Sequence, residues 1–227
     1  MLRKWEDLPD YMRTDKVRPY YDSLNKKQVS LFLKRCFDFI VGIIVFIILS
    51  PIMIIFSIAI AIDSRGGVFF RQERVTQYGR KFRIFKFRTM VANAESIGSQ
   101  VTVQNDMRIT RVGKLLRKTR LDEFPQLINV ILGDMSFVGT RPEVTKYVNR
   151  YTPEMYATLL LPAGITSIAS INYKDEDKLL ANADNVDDVY VNEVLPDKMK
   201  YNLSTITHFS FFGEIVTMFK TVFAVLK

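Results

Sequence analysis

The residues best suited to chemistry lie in the run Arg117-Lys118-Thr119-Arg120-Leu121-Asp122-Glu123-Phe124-Pro125-Gln126, where a cationic segment meets two adjacent carboxylates and then a proline. Proline is tolerated at the first position of a helix and glycine stops one, so the spacing predicts a short helix from Pro125 to Leu132, ended by Gly133. Asp122 and Glu123 then sit just before that helix, whose end carries unpaired amide donors and about half a positive charge. Arg117 and Arg120, three residues apart, are expected to share one face of the preceding helix. Such surroundings predict an ionised Asp122 and an attraction for anionic substrates. A purely structural alternative fits the same residues: a helix–turn–helix whose acids cap a terminus and pair with the arginines.

The rest of the chain narrows the chemistry. Cys36 and His208 are each the single residue of their type, so an intrachain disulfide, a cysteine-rich metal site and multi-histidine zinc chemistry are excluded. No nucleophile-elbow pattern accompanies His208. The net charge of +8 is concentrated between Arg65 and Arg120, where 14 Lys/Arg face 3 Asp/Glu. A segment at +11 suits phosphates on a nucleotide, a nucleic acid or a lipid head group. No complete RNA-binding motif is present, and nucleic acid gives no account of the apolar segment that precedes it.

That segment, Phe39 to Ile62, is 24 residues without a charge. As one helix it reaches about 36 Å, against about 30 Å of hydrocarbon. It starts too far from residue 1 and lacks the cleavage pattern of a signal peptide. Ser50-Pro51 falls at its midpoint and divides it into two halves. Lys26, Lys27, Lys34 and Arg35 precede it, and Arg65, Arg71 and Arg74 follow it, so both ends carry the cytoplasmic sign. A re-entrant helix that bends at Ser50-Pro51 satisfies both ends; a spanning helix merely kinked there places Met1 to Asp38 on the far side.

Around this segment the pattern predicts an α+β fold, mainly helical, with a compact catalytic core. Residues 1–30 read as an irregular arm whose aromatics meet either the membrane interface or the folded body, 31–64 as the membrane helix, and 65–227 as the catalytic domain. Val68 to Val75 and Lys81 to Met90 read as a short β-hairpin whose imperfect alternation calls for a bulge or burial of both faces. Lys86, Arg88 and Thr89 either meet phosphate or decorate a strand near acidic lipid. Arg108 onward reads as an amphipathic helix, as does Ile206 to Leu226, which either packs on the core or lies at the bilayer surface.

Lys34-Arg35-Cys36-Phe37-Asp38, Ser50-Pro51, Phe69-Phe70-Arg71-Gln72, Lys86-Phe87-Arg88-Thr89-Met90, the run Leu121 to Val130 and the run Gly133 to Pro142 follow one another in an order that resembles the bacterial sugar transferases. These are the monotopic polyprenyl-phosphate phosphoglycosyl transferases, and the likeness covers roughly residues 31 to 170. The resemblance implies transfer of a sugar 1-phosphate from a UDP-sugar to undecaprenyl (polyprenyl) phosphate with release of UMP, the first step of a surface glycan such as an exopolysaccharide or capsule. It implies a re-entrant helix broken at Ser50-Pro51 and a place on the cytoplasmic face of the bacterial inner membrane. It also assigns Asp122 as the nucleophile, Glu123 as its partner carboxylate, and Arg117 and Arg141 as phosphate ligands.

The chemistry this implies is physically reasonable, with Mg²⁺ held partly by Asp122 to neutralise the diphosphate, and an aspartyl-phosphosugar as intermediate. Thr140 stands where the family often has proline, so the loop carrying Arg141 is expected to be less rigid, and Pro162-Ala163-Gly164-Ile165-Thr166-Ser167 stands where it often has Pro-Gly-Ile-Thr-Gly, so the resemblance does not carry over a sugar preference. Two competing readings remain in view. One is a non-catalytic adaptor that binds anionic lipid. The other is a glycosyltransferase that uses Asp175 and Asp177 and releases UDP, although the acidic setting of Asp175-Glu176-Asp177 suits a solvated loop better.

Overall fold

The computed structural model describes residues 2–94, 106–173 and 185–226. Two single-turn 3-10 helices lead into α1 (Arg18–Asn25) and then α2 (Gln28–Asp63), the longest element. Among the described residues α2 is the one helix long and apolar enough to cross a bilayer. It begins well upstream of the charge-free run and continues through Ser50 and Pro51, which lie inside one helix rather than between two separate halves. Proline has no amide to give the carbonyl four residues back, that of Ile47, and the Ser50 hydroxyl donates to this carbonyl at 2.8 Å. The released backbone group is thereby satisfied from within the segment, as an apolar medium requires.

One face of α2 is buried at Leu31, Lys34, Asp38, Gly42, Met53 and Ile60, spacings that keep to a single helical stripe. The opposite face leaves Ile40, Ile44, Ile47, Ile48, Ile54, Ile55, Ile58 and Ile62 exposed. An aqueous helix of this composition would cover those side chains.

The first thirty residues are not an irregular arm. Leu8, Met12, Val17, Tyr21 and Leu24 are buried in the same cluster as Tyr147, Leu160, Leu195, Met199 and Phe209. Full burial of each such aliphatic side chain is worth about 1.5–3 kcal/mol. Polar contacts reinforce this: Tyr20 donates to Glu154 at 2.7 Å, and Lys27 to the Phe209 carbonyl at 2.7 Å. The chain before α2 and the chain after it therefore share one core.

β1 (Phe69–Val75) and β2 (Lys81–Phe87) pair antiparallel from Phe69↔Phe87 to Val75↔Lys81, with no bulge. Burial of both faces is what breaks the alternation. Phe82 and Ile84 pack on Val130, Met135 and Ala163, while Phe87 packs with Met53, Ile60 and Leu116. Beyond the hairpin come α3 (Arg111–Lys118), α4 (Gln126–Leu132) and β3 (Met135–Val138). After α5 (Thr145–Val148), β4 (Ala163–Thr166) runs parallel to β3, and α6 (Ile168–Asn172) follows.

The C-terminal part comprises α7 (Val186–Val189), a π-helical turn Tyr190–Val194, α8 (Leu195–Thr207) and α9 (Phe211–Leu226). The single helix expected from Ile206 is thus two, separated at His208 to Ser210. Ile206 and Phe209 join the core. On α9 the polarity is inverted: Glu214 and Thr217 are buried, whereas Phe212, Val216, Phe219, Val222 and Phe223 are exposed. Glu214 meets the Lys34 ammonium at 2.5 Å, and Lys34 also donates to Ser136 and to the Val138 carbonyl.

Candidate active site

Four segments converge on the paired carboxylates. α3 ends at Lys118, and Arg120 takes a left-handed conformation (φ 58°), which turns the chain into the 3-10 turn Leu121–Glu123. Arg117 and Arg120 consequently do not share a helical face, contrary to the sequence expectation. α4 starts at Gln126 and stops at Gly133 (φ 84°), within one residue of the predicted helix. At seven residues it is too short to act as an anion site on its own, so side-chain charge has to set the local potential.

Glu123 is the hub of that charge. Its Oε1 accepts from Lys86 at 2.8 Å and from Arg141 at 2.6 Å. Burial alone raises Glu123, but Arg141 and then Lys86 outweigh it and hold the carboxyl well below its ordinary value. Burial pulls Lys86 down from its usual value against the opposing pull of Glu123.

Asp122, next along the turn, makes no hydrogen bond or ion pair among the described residues. Burial raises its pKa, Lys86 opposes, and Glu123 raises it further. The expectation that neighbouring cations dominate at Asp122 is therefore corrected: loss of water and the adjacent carboxylate win.

Lys86 reaches Glu123 because Asn129, fully buried in α4, is bonded to β2 at both ends of its amide. It accepts from the Phe85 amide at 2.8 Å and donates to the Arg83 carbonyl at 3.1 Å. Arg141 projects from the loop after β3, where Gly139 and Gly164 face each other so closely that a β-carbon on either would strike the other strand's backbone. Gly164 donates its amide to the Thr140 carbonyl at 2.9 Å and Gly139 to that of Thr166 at 3.0 Å. The backbone at Thr140 is thus pinned without a proline.

Arg117 is oriented by Thr89, whose hydroxyl accepts from its Nε at 2.9 Å, and its charge acts on Asp122. Arg88, expected to bind phosphate, is used elsewhere. Its guanidinium donates to the carbonyls of Ser64 and Arg65 and to the Ser64 hydroxyl, and so closes the C-terminal end of α2. Ser50 and Pro51 belong to the membrane helix, as described above. His208 stays at the end of α8, its Nδ1 3.0 Å from the Ser204 carbonyl. The acidic triplet at 175–177 lies outside the described residues.

Among the described residues no group of three or more His, Cys, Asp or Glu is placed to hold an ion. Mg²⁺ does not require one, since it is commonly bound by one or two carboxylates completed by water and substrate phosphate. Asp122 fits such a donor: its carboxylate is half-buried and has no hydrogen-bond partner, whereas that of Glu123 is engaged by Lys86 and Arg141.

Asn129, Glu143 and Tyr190 were not singled out by the sequence. The first lay in plain view as a polar residue between Ile128 and Val130, a position that an apolar side chain would otherwise occupy.

Comparison with known proteins bears on this arrangement. The chain is 36% identical over 208 residues to the UDP-N-acetylgalactosamine-undecaprenyl-phosphate N-acetylgalactosaminephosphotransferase of Aeromonas hydrophila, covering 90% of this chain and 46% of that protein. It is 34% identical over 212 residues to the UDP-glucose:undecaprenyl-phosphate glucose-1-phosphate transferase of Escherichia coli (strain K12), covering 91% and 43%. A putative undecaprenyl-phosphate N-acetylgalactosaminyl 1-phosphate transferase of Bacillus subtilis (strain 168) is 38% identical over 125 residues, covering 55% and 70%. The chain spans less than half the length of the first two relatives. The family model described as bacterial sugar transferase matches residues 29–227, and the chain belongs to that family.

Proposed function

We propose that the protein transfers a sugar 1-phosphate from a UDP-sugar to a polyprenyl phosphate such as undecaprenyl phosphate, and releases UMP. The observation that carries this reading is the unshared Asp122 carboxylate beside the Lys86–Glu123–Arg141 cluster. Arg141 and Lys86 are held by Glu123 until a diphosphate arrives to compete for them. An Asp122 oxygen attacks the phosphorus that bears the sugar. The bond to the bridging oxygen breaks, and its electron pair leaves with UMP. An oxygen of the polyprenyl phosphate then attacks the same phosphorus, frees the Asp122 carboxylate and yields the polyprenyl diphosphate sugar. Mg²⁺, when bound at Asp122 with substrate phosphate, supplies charge neutralisation.

The setting suits two substrates of opposite solubility. Residues on both sides of α2 share one core, which supports a helix that enters and leaves the bilayer on one side, with the catalytic body at the cytoplasmic face. The exposed apolar face of α9 supports contact with the same lipid surface.

The test is UMP release by purified protein supplied with a panel of UDP-sugars, Mg²⁺ and undecaprenyl phosphate. Asp122→Asn is expected to lose at least about a thousandfold in kcat, and Glu123→Gln about a hundredfold. UDP as the product, or full activity in Asp122→Asn, overturns the proposal. A non-catalytic lipid-binding adaptor would release no nucleotide from any UDP-sugar.

A further inference from the structure

We infer that Glu143, held by Tyr190 and Lys198, is a positioning residue for Arg141, so that the C-terminal part of the chain sets how firmly the donor diphosphate is gripped. This rests on the reading that Arg141 binds the UDP-sugar.

Arg141, Pro142 and Glu143 are consecutive, and the backbone around them is tied on several sides. The Thr140 carbonyl is bonded by Gly164, the Pro142 carbonyl by the Arg74 guanidinium at 3.3 Å, and the Glu143 carbonyl by the Val75 amide at 2.9 Å. The carboxylate of Glu143 takes no part in the Glu123 cluster. It is 7% exposed and accepts from the Tyr190 hydroxyl at 2.5 Å. Lys198, also buried, donates to that hydroxyl at 3.2 Å and lies 3.9 Å from the carboxylate. The Tyr190 ring is in turn packed on Tyr147, with centroids 4.7 Å apart.

Burying this carboxylate and ammonium costs several kcal/mol of desolvation each, and an apolar pair of similar volume would do at least as well for stability alone. Their distinctive effect is geometric. Arg141 has to move its guanidinium from Glu123 to a phosphate, and a side chain can make that exchange reproducibly only if its backbone stays fixed. Glu143 fixes it from two residues away, through groups on a segment remote in sequence.

Two measurements on the full chain in lipid nanodiscs test this. In hydrogen–deuterium exchange, Tyr190→Phe is expected to speed exchange across residues 139–144 at least fivefold while the hairpin β1–β2 is unchanged. In UMP release, the same substitution is expected to raise KM for the UDP-sugar about tenfold, equivalent to about 1.4 kcal/mol. Its kcat and its KM for the polyprenyl phosphate should stay within about twofold. In an Arg141→Ala background, Tyr190→Phe should add less than about twofold, because its effect passes through Arg141.

Glu143→Gln keeps an acceptor for Tyr190. It is expected to show the same selective rise in KM at smaller size, and it serves if Tyr190→Phe does not fold. Unchanged exchange at 139–144, or a KM effect undiminished in Arg141→Ala, overturns the inference. If the wild type releases no UMP from any UDP-sugar, the donor reading falls, and the exchange result alone decides whether Glu143 fixes the loop.

Discussion

Glu214 provides a quantitative test of how α9 is fastened to the body. It faces Lys34 at 2.5 Å, and Asp38 lies beyond the same ammonium, 3.9 Å from it, so one buried cation serves two carboxylates. Burial pushes Glu214 up to about 7, Lys34 opposes, and Asp38 adds to the rise. Between about 4.5 and 7 the folded protein holds a proton that the unfolded chain has released. Stability therefore falls as pH rises through that window, and the loss is complete above it. At 1.36 kcal/mol per pH unit the ceiling on this loss is about 3 kcal/mol.

Glu214→Gln keeps the hydrogen-bonding shape and has no proton to lose. It should match the wild type near pH 5 and exceed it near pH 8.5. With about 2–4 °C per kcal/mol for a chain of this size, the gap in Tm at the alkaline end is at most about 6–12 °C. Thermal unfolding in detergent, followed by tryptophan emission at a series of pH values, measures it, with Trp5 as the single reporter against Tyr21 in the core. A gap that is constant across pH, or that opens at the acid end, refutes the reasoning.

Lys86→Met leaves Glu123 with Arg141 as its remaining partner and removes a cation from the diphosphate site; kcat should fall about 10²–10³-fold in the UMP assay. Asn129→Ala strands the Phe85 amide and takes from the Arg83 carbonyl one of its two donors, the Arg71 guanidinium remaining at 3.3 Å, which at about 1–3 kcal/mol for a buried unsatisfied group should cost about 1–3 kcal/mol and lower Tm accordingly. Phe219→Trp in a Trp5→Phe background places a reporter on the outer face of α9. Its emission should be blue-shifted and strongly quenched by brominated lipid in nanodiscs, and water-like emission would show that this face does not meet the bilayer.

What the sequence made legible was local. The charge-free run, the hairpin and the stop at Gly133 each follow from residues within a few positions of one another, and α2, β1, β2 and α4 stand close to where those residues place them. Ser50 next to Pro51 even announces how the freed Ile47 carbonyl is satisfied.

The misreadings share a different cause, since each depends on a partner distant along the chain. Arg88 looks like a phosphate ligand in the run Lys86-Phe87-Arg88-Thr89 until the end of α2 arrives to occupy it, from 23 and 24 residues upstream. The first thirty residues look irregular because their apolar positions answer to Tyr147, Leu160 and Leu195 as well as to one another. At Asp122 the cations are neighbours in sequence, whereas the loss of water that opposes them and raises the carboxyl above its ordinary value exists only once β2, the turn and the Arg141 loop have closed around it. α9, which the sequence leaves free to turn its apolar face to the core or to the bilayer, shows the same dependence. Its periodicity announces a helix with one apolar face, but which face turns inward is decided by Lys34, on another helix altogether, which recruits Glu214 and leaves the phenylalanines outside. An amphipathic pattern fixes two faces without saying which one is the inside, and the buried contact between Lys34 and Glu214 marks the one that turns inward here.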